Sequence, residues 1–196
     1  MNVSKEAIIE AIKNRRSIFP KDYSDEVIDR AVIEEILECA NWAPTHKFTE
    51  PWRFTVFSGS GLRRLAAFQA NLYKELSTAQ GTYKEANFEK LQQKPLMASH
   101  VISIGLHRDP EKRVPEVEEI ESVACAVQNM YLAANAHGLG CYWGSGGITY
   151  KPEANEFFGL GEEDKLLGFF FLGKPKLENW PKSVRKPIGN KVRWEE

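Results

Sequence analysis

The stretch KLLGFFFLG, Lys165–Gly173, says most about the fold. It is an almost unbroken apolar run that ends in three consecutive phenylalanines, a leucine and a glycine. A strand that is apolar on both faces has to be covered on both faces, as strands in the interior of a sheet are. We therefore expect residues 165–173 to form an internal strand.

Weaker strand patterns precede it along the chain. Residues 52–57 (WRFTVF) alternate aromatic or apolar residues with others, residues 101–106 are mostly apolar, and residues 141–143 form a short third segment. Between these segments, apolar residues recur at helical spacing. The predicted helices are a first one that is capped by Ser4 and runs into Asn14, then residues 30–42, 62–79, 81–94, 116–137 and, as a short helix, 152–158.

These elements predict an α+β fold in a single domain, residues 1–196. The helices cluster between strands instead of alternating strictly with them, and the length of 196 residues suits one domain. Neither a Rossmann nor a P-loop glycine motif is present. The apolar stripe on residues 116–137 is broad, which is typical of a central or interface helix. The tail, residues 174–196, contains Trp180 and Trp194, and these favour a tail that is laid across another surface.

The composition argues against several classes of protein. A net charge of −1 lacks the basic excess of nucleic-acid-binding proteins, so no nucleic-acid partner is expected. Apolar runs are too short for a bilayer, and the N-terminal helix has no secretory-signal pattern, so we expect no membrane partner and a cytoplasmic protein. The three cysteines and four histidines show no ligand spacing, which argues against a metal site or a disulfide framework. Each cysteine lies in an apolar segment and is expected to be a small core residue.

The arginine segment, residues 15–17, is a candidate anion site. Two guanidinium groups beside the Ser17 hydroxyl suit a phosphate, because arginine offers a planar fork of donors that stays charged. Arginines near a helix C-terminus can also interact with the helix dipole while they remain solvated. From these residues alone, both interpretations stay open.

Two loops are further candidates. In the proline loop, residues 44–51, a helix ends and a polar turn exposes Thr45 and His46; this histidine is a donor to a ligand, a general acid or an ordinary loop residue. In residues 142–147 (YWGSGG), the glycines would let the backbone approach a planar ligand and direct its N–H groups at it. An ordinary glycine-rich turn is the other interpretation.

Together these segments resemble the nitroreductase family. The arginine segment, APTHKFTEPWRF (residues 43–54), GLGCYWGSG (residues 138–146) and GFFFLGKP (residues 168–175) occur in that family's order and with matching separations, and the likeness covers nearly the whole chain. Within the family, the chain resembles the small YdjA-like branch. The resemblance implies a nitroreductase-like fold: a central, mainly antiparallel sheet flanked by helices, in a homodimer of intertwined subunits.

The resemblance also implies a cofactor and the residues that hold it. Members of this family bind FMN in two sites built from both subunits, and Trp42 and His46 match the contribution of the other subunit. A C-terminal basic residue often contacts the phosphate, for which Lys174, Arg185 and Lys186 are candidates. The implied cofactor-binding residues are Arg15, Arg16, Ser17, Trp42, Thr45, His46, Tyr142, Trp143, Gly144 and Ser145.

The implied reaction is ping-pong oxidoreduction. NADPH or NADH reduces FMN and leaves, and a nitroaromatic, a quinone or a similar acceptor then takes the electrons. The flavin carries this chemistry, so no catalytic side chain is predicted, and Arg16 is the candidate that stabilises the anionic reduced flavin. The tail, residues 174–196, is expected to pack on the partner subunit. The alternative is a non-catalytic flavin-binding protein for storage or redox sensing.

Overall fold

The fold is built on one antiparallel sheet of four strands. It is seen in a computed structural model that describes residues 4–196. The strand order is β1-β2-β4-β3, so β4 is internal, as its apolar sequence predicts. The strands are β1 (Trp52–Ser58), β2 (His100–Leu106), β3 (Gly140–Gly144) and β4 (Lys165–Gly173).

The five helices lie close to their predicted positions. In the first of them, the Ser4 hydroxyl accepts a hydrogen bond from the backbone N–H of Ala7 and so caps the helix. Residues 152–158 form two short 3-10 turns and not the predicted single helix, and Gly159 ends the second in a left-handed conformation. The helices are α1 (Lys5–Asn14), α2 (Arg30–Asn41), α3 (Ser60–Ala79), α4 (Glu85–Gln93) and α5 (Glu116–Ala136).

Hydrophobic cores lie on both faces of the sheet. On one face α2 and α5 pack on the strands, with Ile36, Met130 and Phe170 fully buried. On the other face α3 and the segment after β3 pack around Leu65 and Leu166. Burying one such side chain stabilises the fold by about 1.5–3 kcal/mol. These cores fix the sheet and so fix the ends of β3 and β4, where the site residues lie.

Helix α1 leaves its apolar side open to solvent. None of its residues is buried, and Ile8 and Ile12 are each about half exposed, at 50% and 52%. Isoleucines at helical spacing on an open helix face are typical of a surface that another chain covers.

The expectation that all three cysteines lie in the core was wrong for Cys125. Cys141 is buried and Cys39 is partly buried, whereas Cys125 is exposed. Cys125 precedes the buried Ala126 on α5, and one residue along a helix turns a side chain by about 100°. The side chain therefore faces away from the sheet, although the surrounding sequence is apolar.

The C-terminal tail returns to the end of α1. The indole N–H of Trp180 donates to the carbonyl oxygen of Asn14 at 2.9 Å, while Trp194 is 81% exposed. One tryptophan is therefore held by its own chain and the other is open. Packing of this tail on a partner subunit stays a prediction. Among the described residues, no helix could span a membrane and no group of acidic, histidine or cysteine side chains is arranged for a metal.

Asp109 predicts how stability depends on pH. Its buried carboxylate accepts three hydrogen bonds from Arg113, from the backbone N–H, Nε and Nη2, at 2.8–2.9 Å. The hydrogen bonds from the Arg113 side chain and backbone hold the pKa of Asp109 well below its usual range. An aspartate whose pKa is lower in the folded state stabilises the fold at pH values above its unfolded-state pKa, about 3.9. This contribution is lost as the pH falls.

We expect the urea midpoint of the protein to fall between pH 5 and pH 3 more steeply than that of Asp109→Asn. Urea titrations at pH 3, 4, 5 and 7, followed by circular dichroism, measure this difference. Asp25→Asn, which removes an exposed acid, is the control and should keep the steep dependence. Equal slopes for the protein and for Asp109→Asn would contradict the assignment.

Candidate functional site

The arginine segment is held against the edge of the sheet. Helix α1 ends at Asn14, and the chain then runs beside β3, where the Ile18 N–H donates to the carbonyl oxygen of Cys141 at 2.9 Å. The buried Tyr23 hydroxyl donates to the Ile18 carbonyl oxygen at 2.7 Å. These bonds place Ser17 next to the C-terminal half of β3, although the two segments are far apart in sequence.

Tyr131 of α5 connects three of the predicted site residues. Its hydroxyl accepts a hydrogen bond from the backbone N–H of Trp143 at 2.6 Å and lies 3.3 Å from the Ser17 hydroxyl. The Arg15 guanidinium lies over the Tyr131 ring, 4.6 Å from its centre. Burial raises the pKa of Tyr131, so the hydroxyl keeps its proton. Arg15, Ser17 and Trp143 are therefore neighbours, as a shared site requires.

The two arginines have different surroundings. Arg16 donates to the carbonyl oxygens of Lys13, Arg15 and Pro181 at 2.7–2.9 Å, so most of its donors are used by the protein. Arg15 makes no ion pair or side-chain hydrogen bond within the described part of the chain, and its guanidinium lies over the Tyr131 ring. A guanidinium with free donors above a neutral tyrosine is suited to an anion. Arg15 is therefore the better placed of the two for a phosphate.

The glycine loop, residues 144–147, follows β3 and forms the wall of a cavity. This cavity has a volume of about 330 Å³, and Tyr142, Gly144 and Ser145 line it. The Trp143 side chain points to the opposite face of the sheet, and its indole N–H is buried without a partner among residues 4–196. Gly168 of β4 makes room for this turn, since a Cβ there would lie 2.6 Å from the Gly144 carbonyl oxygen.

Trp42, Thr45 and His46 lie apart from the arginine segment within one chain. They precede β1, which is the opposite edge of the sheet from β3, and three strand spacings amount to roughly 14 Å. Trp42 is 80% exposed, and its indole N–H donates to the Glu38 carboxylate. The hydroxyl groups of Thr45 and Thr49 share a hydrogen bond. The His46 Nδ1 lies 2.5 Å from a carboxylate oxygen of Glu118. A single chain therefore does not assemble the full predicted set.

The proline loop is backbone-strained. Three of its non-glycine residues, Lys47, Phe48 and Glu50, have φ values of 43° to 54°. Such conformations cost about 1–3 kcal/mol each and concentrate at ligand sites. Phe48 is also 87% exposed. The strain and the open aromatic ring are independent reasons to regard this loop as a contact surface.

The C-terminal candidates for a phosphate contact are engaged elsewhere or unassigned. Lys174 pairs with Glu26 at 2.5 Å, and Arg185 donates to Ser183 and to the Val184 carbonyl oxygen within its own tail segment. Lys186 is exposed. Among residues 4–196, none of the three forms a hydrogen bond or ion pair with Arg15 or Ser17.

Comparison with known proteins identifies the family. The sequence profile of the nitroreductase family matches residues 12–174, well over half of the chain. The chain belongs to the nitroreductase family. This confirms the resemblance that the sequence motifs predict.

Individual relatives agree with this placement. This member of the nitroreductase family is 35% identical, over 74% of its chain and 77% of the relative, to a protein of Escherichia coli K12 named "Putative NAD(P)H nitroreductase YdjA". The crystal structure of a nitroreductase-like family protein from Bacillus cereus superposes with a TM-score of 0.82 at 28% identity, over 100% of this chain and 99% of that one. The α+β, nitroreductase-like fold is thereby confirmed.

A more distant structure supports the fold alone. The FMN-dependent nitroreductase NfnB from Mycobacterium smegmatis, in complex with NADPH, superposes with a TM-score of 0.72 at 19% identity, over 97% of this chain and 99% of that one. The two proteins therefore share the arrangement of sheet and helices.

Sequence reasoning missed three residues of the candidate site. Tyr131 lies in the apolar stripe of α5, and its hydroxyl group was the only feature of the sequence that could have indicated a role in the site. Gln69 of α3 and Lys94, which follows α4, line the cavity beside the glycine loop. Both lie in a region whose sequence shows helical spacing and no motif, so only the fold reveals that they face Tyr142.

Proposed function

We propose that this protein is an FMN-dependent NAD(P)H oxidoreductase. The observation that carries the proposal is the cluster in β3, where Arg15 with free donors, the Ser17 hydroxyl and the backbone N–H of Trp143 meet around Tyr131 just before the glycine loop. The names of the relatives add support, since YdjA is named for NAD(P)H-dependent nitroreduction and NfnB for FMN dependence.

The residues present fit the phosphate and ring of FMN. Arg15 and Ser17 offer charged and hydroxyl donors to a phosphate, and the glycine loop offers backbone N–H groups close to a flat ligand. A Cβ at Gly144 would lie 2.6 Å from the Tyr142 ring, so a larger residue would displace the tyrosine that lines the cavity. Arg16 stays the proposed neighbour of the reduced ring, provided that its bond to Pro181 opens.

When bound, FMN would supply the redox chemistry, namely the transfer of a hydride from NADPH or NADH, together with a proton from water, to a nitro group or a quinone. A nitro group then becomes a nitroso group and water, and a quinone becomes a quinol. The chain's own residues position the ligands and exclude water. We propose that donor and acceptor bind in turn, in a ping-pong sequence.

We propose further that the site is completed by a second subunit. The open apolar face of α1 suits a symmetric contact with another copy of the chain. Within one chain, the proline loop and the arginine segment lie at opposite edges of the sheet. We propose that Trp42 and His46 of one subunit reach the arginine segment of the other. The tail would then lie over the partner's surface.

An anaerobic visible spectrum of the purified, FMN-incubated protein tests the function. We expect a yellow protein whose visible flavin absorbance bleaches within seconds on addition of NADPH or NADH. Addition of a nitroaromatic or a quinone should then restore the colour. A yellow protein that neither coenzyme bleaches would indicate storage or sensing. A protein that takes up no FMN would refute the proposal.

A further inference from the structure

The cavity beside the glycine loop has a polar inner wall. It lies between α3, α4 and the end of β3, and its volume of about 330 Å³ is at the lower end of the range for small-molecule sites. Gln69 lines it and is only 3% exposed, and its Nε2 has no hydrogen-bond partner among residues 4–196. A buried amide donor without a partner is unfavourable unless a ligand accepts its hydrogen bond.

The opposite wall is positively charged. The Lys94 Nζ lies 4.6 Å from the centres of both the Tyr142 and Phe171 rings, and Lys90 lines the same cavity one helical turn earlier. An adjoining cavity of about 430 Å³ shares Lys90, Lys94 and Tyr142 and adds Lys21. Three lysines therefore line two adjoining cavities that share Tyr142.

No acidic residue balances these charges. None of the residues that line either cavity is an aspartate or a glutamate, and within the described chain none of the three lysines forms an ion pair. Burial, and then the charge of Lys90, lower the pKa of Lys94. An anion placed between Lys90 and Lys94 would remove this repulsion.

We propose that this cavity binds the electron acceptor, and that it favours a flat aromatic ring that carries a carboxylate. The ring packs on Tyr142 and Phe171, the carboxylate meets Lys90 and Lys94, and Gln69 donates to an oxygen of the reducible group. Tyr142, Gly144 and Ser145 line the cavity and also belong to the proposed flavin contacts, so a ligand there lies beside the flavin. The proposal thus rests on the proposed function and specifies its substrate class.

Kinetics with two acceptors of the same shape test the charge preference. In Lys94→Gln, kcat/KM for 4-nitrobenzoate should fall about tenfold or more, because a charge-assisted contact is lost, mainly through KM. For the neutral 4-nitrobenzyl alcohol the fall should stay below about threefold. Lys90→Gln, on the more exposed lysine, should show the same pattern more weakly. Lys84→Gln is the matched control, because Lys84 is an exposed lysine at the start of α4 and does not line the cavity. This variant should leave kcat/KM for both acceptors unchanged.

Two results would overturn the proposal. Equal losses with both acceptors would show that Lys94 does not recognise the carboxylate, and no loss with either would remove it from the acceptor site. Gln69→Leu should lower kcat/KM for both acceptors while leaving the thermal midpoint unchanged or higher, since the buried unpaired amide is gone. A lower midpoint with unchanged kinetics would make Gln69 purely structural.

Calorimetry separates this proposal from the proposed function. Benzoate, which is not reduced, should bind the flavin-free protein more tightly than benzyl alcohol does, and Lys94→Gln should weaken benzoate binding about tenfold. If the protein took up no FMN, this result would still support the anion site. A protein that is reduced by NADPH, but whose affinity for benzoate is the same in Lys94→Gln, would keep the function and refute the carboxylate preference.

Discussion

Gly168→Ala should lower the free energy of unfolding by about 3 kcal/mol or more, and should also weaken flavin retention. Gly168 has φ +133°, and a Cβ there would lie 2.6 Å from the Gly144 carbonyl oxygen and 2.8 Å from the Trp143 Nε1. Strain in such a conformation costs about 1–3 kcal/mol, and overpacking a buried site costs a similar amount. Total stability is only about 5–15 kcal/mol, so the effect is large.

Urea unfolding and the FMN dissociation constant measure the two effects. The displaced groups are the backbone of Gly144 and the side chain of Trp143, which belong to the predicted site, so both measurements should change together. Gly146→Ala is the matched control, because a Cβ there would meet no atom within 4 Å. It should change stability by less than about 0.5 kcal/mol. Equal stability of the two variants would disprove the role given to Gly168.

The sheet could be predicted from sequence because its signals are local. The apolar run of β4 and the alternation in β1 depend on neighbouring residues alone, and both strands were confirmed. The register is different: β2 and β4 shift past each other between Ile104 and Gly105, opposite Gly168. A glycine inside an apolar strand is compatible with such a bulge, but which atoms need the space depends on β3, which is distant in sequence.

The candidate site could be predicted only in part for the same reason. The motifs identify Arg15 and Arg16 equally, whereas the fold distinguishes them. Backbone carbonyl oxygens, among them that of Pro181 in the tail, accept hydrogen bonds from Arg16, while the Arg15 guanidinium donates none among residues 4–196. Tyr131 connects to Ser17 across most of the chain. Lys94 has no motif, and its position over Tyr142 follows from how α4 packs on α3. Contacts between distant segments are not encoded in local spacing.

Subunit complementation should restore flavin binding to two variants that lack it alone. Arg15→Glu replaces the free guanidinium with a group that repels a phosphate, and should weaken FMN binding about a hundredfold or more. The double variant Trp42→Ser/His46→Asp changes only the residues that we propose act across the interface. Each homodimer should therefore be nearly colourless after gel filtration with FMN.

A mixture of the two variants, unfolded together and refolded at equal concentrations, should bind about a quarter of the FMN that the unmodified protein binds. Random pairing makes about half of the dimers mixed, and in each mixed dimer one site has Arg15 from one subunit and Trp42 with His46 from the other. If all these residues served a site within their own chain, mixing would restore nothing. Light scattering on the same samples shows whether dimers form, so that a failure to bind FMN is distinguished from a failure to associate.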